Sequence, residues 1–193
     1  MNHIELQKTI RYILDNIDES RRLKDSVESI KDELIDLTLG QVISEQEFYK
    51  ISSVLLSQSR SPLWEKYFIK KHNCERVNKN EDRGDFKKNG RYYEYKSSGY
   101  NQDNSIHILQ IRSWQDCNYI IQSISDDRAI TFVLTHAEMM LEMERIKASS
   151  AHGTQKALEE NKNKELRMSI KRDSEHWNRW INNYHKEGDI FQS

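Results

Sequence analysis

The stretch Gly84-Asp85-Phe86-Lys87-Lys88-Asn89-Gly90-Arg91-Tyr92-Tyr93-Glu94-Tyr95-Lys96 decides how this chain is read. Asn89-Gly90 predicts a two-residue hairpin turn, because both central residues of such a turn must accept positive φ. A turn there sets the pairing: Lys88 opposite Arg91, Lys87 opposite Tyr92, Phe86 opposite Tyr93 and Asp85 opposite Glu94. Side chains alternate along a strand, so Lys96 shares a face with Glu94. Opposed carboxylates repel when their Cβ atoms stand about 4.5–5.5 Å apart, so a hairpin built for stability alone has no use for this pair. A divalent cation between them turns the repulsion into a binding site.

Gly-Asp followed at close range by Glu-x-Lys resembles the core of the PD-(D/E)xK nuclease superfamily, which includes most type II restriction endonucleases and Holliday-junction resolvases. The usual proline before the aspartate is Gly84 here. Glu-x-Lys alone carries little weight in a chain with 31 acidic and 30 basic residues, and Glu160-Asn161-Lys162 is a second instance. The weight lies in the combination of strand, tight turn, strand and opposed acid, with β-prone Tyr92, Tyr93 and Tyr95 around it. The resemblance implies a Mg²⁺-dependent phosphodiesterase leaving 5′-phosphate ends. Asp85, Glu94 and the backbone carbonyl of Tyr95 would be its metal ligands, and Lys96 would hold or polarise the attacking water. It also implies a role for Glu65, since many nucleases of the superfamily carry a metal-reaching glutamate on the helix before the aspartate strand.

That helix is predicted to start at Ser61 as N-cap, with Pro62 in the first helical position. Leu63 and Tyr67 form one apolar line and Trp64 and Phe68 a second. Glu65 then falls in the first turn, where the helix dipole favours a carboxylate whatever its chemistry.

Composition narrows the classes. At 193 residues the chain is long enough for one domain with a sizeable core. No apolar run approaches the roughly 18 residues needed to span a bilayer, and no signal-peptide pattern opens the sequence, so a cytoplasmic protein is expected. Cys74 and Cys117 are too few for a disulfide framework and lack CxxC spacing. His107, His136, His152 and His176 show no HxxxH or His–Cys ligand spacing, so neither zinc nor a His-metal nuclease is expected. Net charge is −1, but it is uneven: residues 1–50 hold 7 Lys/Arg against 11 Asp/Glu, residues 60–100 hold 11 against 6, and residues 145–186 hold 10 against 5. Two basic segments in a near-neutral chain suit an enzyme whose positive surface is confined to one cleft for DNA.

The expected fold class is α/β (α+β), a mixed central sheet flanked by helices, with a restriction-endonuclease-like core and a helical N-terminal region. Residues 1–60 form that helical region, either dimerising or covering the core. Ile4, Leu6, Ile10, Ile13, Leu14 and Ile17, then Leu23, Val27, Ile30, Leu34 and Leu37, recur at helical intervals up to a stop at Gly40. Ser44 and Glu47 form a capping box opening a helix over 44–58. Residues 61–146 form the catalytic core: residues 105–112 read as a buried strand or short helix, 118–124 and 129–135 as strands, and 136–146 as a helix.

Residues 147–193 belong to the same domain as a DNA-contacting loop, a strand at 166–171 and a closing helix from Ser174 to Tyr184. His152, Gly153, Thr154, Gln155, Lys156, Lys162 and Lys164 are the candidate DNA contacts there, being small enough for close backbone approach or supplying donors to phosphate and base edges. Gln110 and Arg112 resemble a polar segment that follows the catalytic strand in some restriction enzymes and are further DNA-binding candidates, although a structural polar pair is the favoured role for them. One small chain carries one site, so cutting both strands of double-stranded DNA calls for a homodimer. A site-specific enzyme of this kind would work beside a cognate methyltransferase without a stable complex. A structure-selective repair or recombination nuclease, such as a Holliday-junction resolvase, shares the same core, and a non-catalytic DNA-binding protein is the third class.

Overall fold

The computed structural model describes residues 3–17, 20–78, 81, 83–99, 103–125, 128–150 and 165–191. The chain divides into two compact units, Met1–His72 with Ile124–Ala129, and Asn73–Ser123 with Ile130–Ser193.

The first unit is built on four helices, α1 (His3–Asp15), α2 (Ser20–Leu39), α3 (Glu45–Ser53) and α4 (Ser57–Lys71). Leu23, Val27, Ile30, Leu34 and Leu37 of α2 are all buried; their spacing of three and four residues makes one apolar stripe. Leu6, Ile10 and Ile13 of α1, Phe48, Tyr49 and Ile51 of α3, and Trp64, Tyr67 and Phe68 of α4 are buried as well. The buried Trp64 indole donates to Ser52 Oγ at 2.7 Å. After α2 the chain turns through a Schellman arrangement, in which Val42 N–H donates to Leu37 O (2.9 Å) and Gln41 N–H to Thr38 O (3.0 Å). Gln41 (φ 58°), not Gly40, holds the left-handed position. The Ser44–Glu47 capping box forms as expected, but its helix ends at Ser53.

Helix α4 corrects the expected start. It begins at Ser57 after Leu56, which supplies no side-chain cap, and Pro62 lies inside it. Pro62 removes one backbone donor there, yet burial of Leu63, Trp64, Tyr67 and Phe68 holds the helix, a case of packing overriding local preference. Lys66, Lys70 and Lys71 on α4 form ion pairs with Asp32 (2.9 Å), Asp36 (2.8 Å) and Glu45 (2.7 Å). Part of the basic excess of residues 60–100 is therefore cancelled by the acidic helices before it.

The second unit holds a six-stranded sheet in the order β1-β2-β3-β5-β6-β9 and a three-stranded sheet β4-β8-β7. The strands are β1 (Glu75–Arg76), β2 (Phe86–Lys88), β3 (Arg91–Ser98), β4 (Ser105–Arg112), β5 (Asn118–Ile124), β6 (Ala129–Leu134), β7 (Ser149–Ser150), β8 (Glu165–Lys171) and β9 (His185–Lys186), with helices α5 (His136–Arg145) and α6 (Glu175–Tyr184). The larger sheet is mixed: β1, β2 and β3 run antiparallel, while β3 and β5 pair parallel. The mixed sheet with helices is the expected fold class. Residues 105–112 are a strand, paired antiparallel with β8. The crossover that a parallel pair requires passes through this strand of the second sheet. Ser149 and Ser150, expected in a loop, pair with Arg167 and Leu166.

The core of this unit joins both sheets to α5 and α6. Ile106 and Ile108 of β4, Tyr119 and Ile121 of β5, Phe132 of β6, Met139 of α5, and Trp177 and Trp180 of α6 are buried together. Inside it lies a carboxylate, Glu142, whose side chain is fully buried. It accepts from Arg179 (2.6 and 3.2 Å), Arg145 (2.7 Å), Trp180 Nε1 (3.0 Å) and the Tyr184 hydroxyl (3.1 Å). A buried charge is tolerable only when paired and hydrogen-bonded in this way. Glu142 therefore ties α5 to α6. Among the described residues no helix is long and apolar enough to cross a membrane.

Candidate active site

The hairpin forms in the register set by its turn: Phe86↔Tyr93, Lys87↔Tyr92 and Lys88↔Arg91. Asn89 (φ 50°) and Gly90 (φ 77°) both take positive φ, matching the twist of the strands they join. Phe86 and Tyr93 stack at 5.4 Å on one face; Lys87 and Tyr92 share the other with Glu94 and Lys96 by strand alternation.

The ladder stops at Phe86↔Tyr93, and Asp85 lies just beyond it. Its N–H donates to Tyr93 O at 2.8 Å, and one of its carboxylate oxygens, Oδ2, accepts the Tyr95 N–H at 2.8 Å. The side chain thus takes a ladder donor of β3 that a strand carbonyl would otherwise satisfy, which fixes the carboxylate against β3. Gly84 allows this. Its φ is +92°, and a Cβ there would stand 2.6 Å from Tyr93 O and 2.8 Å from Tyr93 C. Only a residue without a side chain lets the two backbones approach so closely.

Glu94 is 3% exposed on the strand interior. Its Oε1 is 2.7 Å from Lys96 Nζ, an ion pair between strand neighbours two apart on one face. Tyr119 of β5 stands beside Glu94 in the parallel ladder. A packed apolar pair would serve stability at least as well as this pair of a buried carboxylate and a half-buried ammonium. The Cys117 thiol senses the whole group. Burial first, then the charges of Glu94, Asp85 and Asp116, push it up to about 12 against the opposing charge of Lys96. Both carboxylates and the ammonium therefore act on one buried point. Cys117, with exposed Asp116 beside it, was missed in the sequence because a lone cysteine carries no spacing signal.

On the opposite face, the Tyr95 hydroxyl donates to Gln122 Oε1 (2.7 Å), and Gln122 Nε2 donates to Thr131 Oγ1 (2.9 Å). This buried chain locks β3 to β5 and β6 and so fixes the strand that carries Glu94 and Lys96.

The donor set suits a hard divalent cation. Among the described residues no group of three His, Cys, Asp or Glu is placed to hold an ion. Mg²⁺ asks for less: one or two carboxylates, with waters completing its shell. Asp85 and Glu94 are the hairpin carboxylates that would supply such oxygens. Tyr95, whose carbonyl the resemblance implies as a backbone ligand, donates its N–H to Asp85.

Glu65 sits well inside α4, beyond its first turn, and belongs to the four-helix unit. Gln110 is exposed with φ 55° at a bulge in β4. Arg112 pairs with Glu165 across β4 and β8, Nε to Oε1 3.2 Å, and its carbonyl accepts the Tyr119 hydroxyl at 3.2 Å. His152, Gly153, Thr154, Gln155, Lys156, Lys162 and Lys164 lie outside the described residues. No protein-family model matches this chain, and no curated protein is similar to it in sequence.

Proposed function

We propose that this protein is a Mg²⁺-dependent, site-specific DNA endonuclease of the type II restriction kind, hydrolysing phosphodiester bonds in double-stranded DNA as a homodimer. The observation that carries the reading is the pair of buried Glu94 and half-buried Lys96 (2.7 Å) on the sheet face beside which Asp85 is fixed by two hydrogen bonds to β3. Two carboxylates and one ammonium, organised before any ligand arrives, match the charge pattern of phosphodiester hydrolysis.

Asp85 and Glu94 would hold the cation through carboxylate oxygens. When bound, Mg²⁺ supplies a water of lowered pKa and a positive charge near the phosphoryl oxygens. Lys96, positioned by Glu94, donates to the attacking water and offsets charge growing on the phosphoryl group. The hydrogen bond from Tyr95 N–H keeps Asp85 from swinging away, so the site requires little reorganisation. The 3′ oxygen leaves, and the 5′ end retains the phosphate.

Incubating plasmid DNA with the protein and Mg²⁺ tests this. Discrete fragments are expected, with Asp85→Ala and Lys96→Ala leaving the plasmid intact. Uncut plasmid with the wild-type protein, or cutting by the folded variants, refutes the reading. Cutting confined to branched substrates transfers the site to a recombination nuclease.

A further inference from the structure

Two residues along β3 from Glu94, on the same face, stands Tyr92, half-buried against the core of its unit. Two cations converge on its ring: Arg83 Cζ and Lys87 Nζ each lie 5.5 Å from the centroid. Lys87 is the cross-strand partner of Tyr92, and Arg83 immediately precedes the Gly84-Asp85 step. Glu75 faces Lys87 across β1 and β2, yet among the described residues neither Lys87 nor Arg83 forms an ion pair. This contrasts with Lys66, Lys70 and Lys71, all neutralised by carboxylates of their own unit.

We infer that Arg83, Lys87 and Tyr92 form a phosphate platform gripping a backbone phosphate that neighbours the scissile one; this rests on the nuclease reading above. The charge is right, and so is the place. Residues two apart on a strand are separated by about 6.6–6.8 Å, and a DNA strand advances roughly 3.4 Å per nucleotide along the duplex axis. The platform is therefore within one or two nucleotide steps of the Asp85–Glu94–Lys96 group. Tyr92 supplies order: cation–π attraction holds two long side chains over a ring that packing keeps still. Less side-chain entropy is then lost when a phosphate binds. A guanidinium and an ammonium together offer a forked donor and a point charge to one anion.

The test separates the platform from the chemistry. Equilibrium binding of the full chain to a short DNA duplex is measured against salt with a chelator present, so that no strand is cut. For Arg83→Gln with Lys87→Gln, which shorten the side chains and remove charge, the slope of log K against log[salt] should fall by about 0.9, one neutralised phosphate. Arg83→Lys and Lys87→Arg should restore it. A slope unchanged in the double Gln variant overturns the platform, since a purely packing role needs no charge. Cleavage by the wild-type protein in Mg²⁺ is read separately. If the slope falls but wild type never cuts DNA, the nuclease reading fails, and the placement of the platform beside a scissile bond fails with it. If wild type cuts and the slope is unchanged, only the platform is lost.

Discussion

Replacing Gly84 with proline would install the residue that the superfamily resemblance puts before the aspartate, and this chain should reject it. Proline fixes φ near −65°, whereas Gly84 sits at +92°. Any Cβ would meet Tyr93 O at 2.6 Å, Tyr93 C at 2.8 Å and Glu94 N at 3.1 Å. All three are backbone atoms of β3, so no flexible side chain can give way. Alanine carries the smaller penalty: about 1–2 kcal/mol for the left-handed backbone, plus about 1.5–3 kcal/mol if the strand shift breaks the Asp85–Tyr95 hydrogen bond to a charged group. The sum, roughly 3–5 kcal/mol, corresponds to a melting shift of about 2–4 °C per kcal/mol for a chain of this size. Proline should cost at least as much. Urea denaturation followed by circular dichroism reads the stability, and cleavage below the variant's melting temperature reads the site. A Gly84→Pro protein with the wild-type midpoint and wild-type cutting refutes the claim that this close approach positions Asp85.

Other perturbations separate structure from chemistry. Glu142→Gln sets an amide NH2 against the donor-only guanidinium and indole groups and removes the charge that pairs the arginines, and should destabilise by about 3–5 kcal/mol in denaturant titration. The arginines, Trp180 and Tyr184 around Glu142 outweigh its burial and hold its carboxyl at about 2, below the ordinary 4.5. With the folded-state value depressed, its contribution, about 3 kcal/mol, is fully present above pH 4.5 and is lost as pH falls towards 2. The acid limb of the unfolding curve should flatten in Glu142→Gln; an unchanged limb would show that the carboxylate contributes nothing. Lys66→Gln and Lys70→Gln remove exposed, paired charges, so each should cost under about 1 kcal/mol and leave the salt slope of DNA binding unaltered. Removing Mg²⁺ with a chelator should abolish cleavage while leaving the melting temperature within a few degrees, because two carboxylates form a weak site on a fold that stands without it.

What the sequence determined is local. Asn89-Gly90 accepts positive φ at little cost, and a two-residue turn permits one pairing, so the hairpin register and the shared face of Glu94 and Lys96 follow from a few neighbouring residues. The Ser44–Glu47 box works within one helical turn and was equally readable. Strands 118–124 and 129–134 announced themselves by β-branched runs.

The rest depends on partners distant in sequence. Helix α4 starts at Ser57 without any capping signal because its buried aromatics outweigh an internal proline. Nothing in residues 118–124 says that they run parallel to β3, since that pairing is set by where the β4 crossover returns the chain. The charge count treated Lys66, Lys70 and Lys71 as a surface for DNA, but α2 and α3 bring carboxylates to each. The decisive case is Asp85. Sequence placed it opposite Glu94 by continuing an ideal ladder. The fold instead ends the ladder one residue early, turns the chain at Gly84 and lets the carboxylate accept the Tyr95 N–H. Turn chemistry fixed which residues meet; the close packing of two backbones fixed how their side chains are aimed, because a steric limit of 2.6 Å has no counterpart in the order of residues.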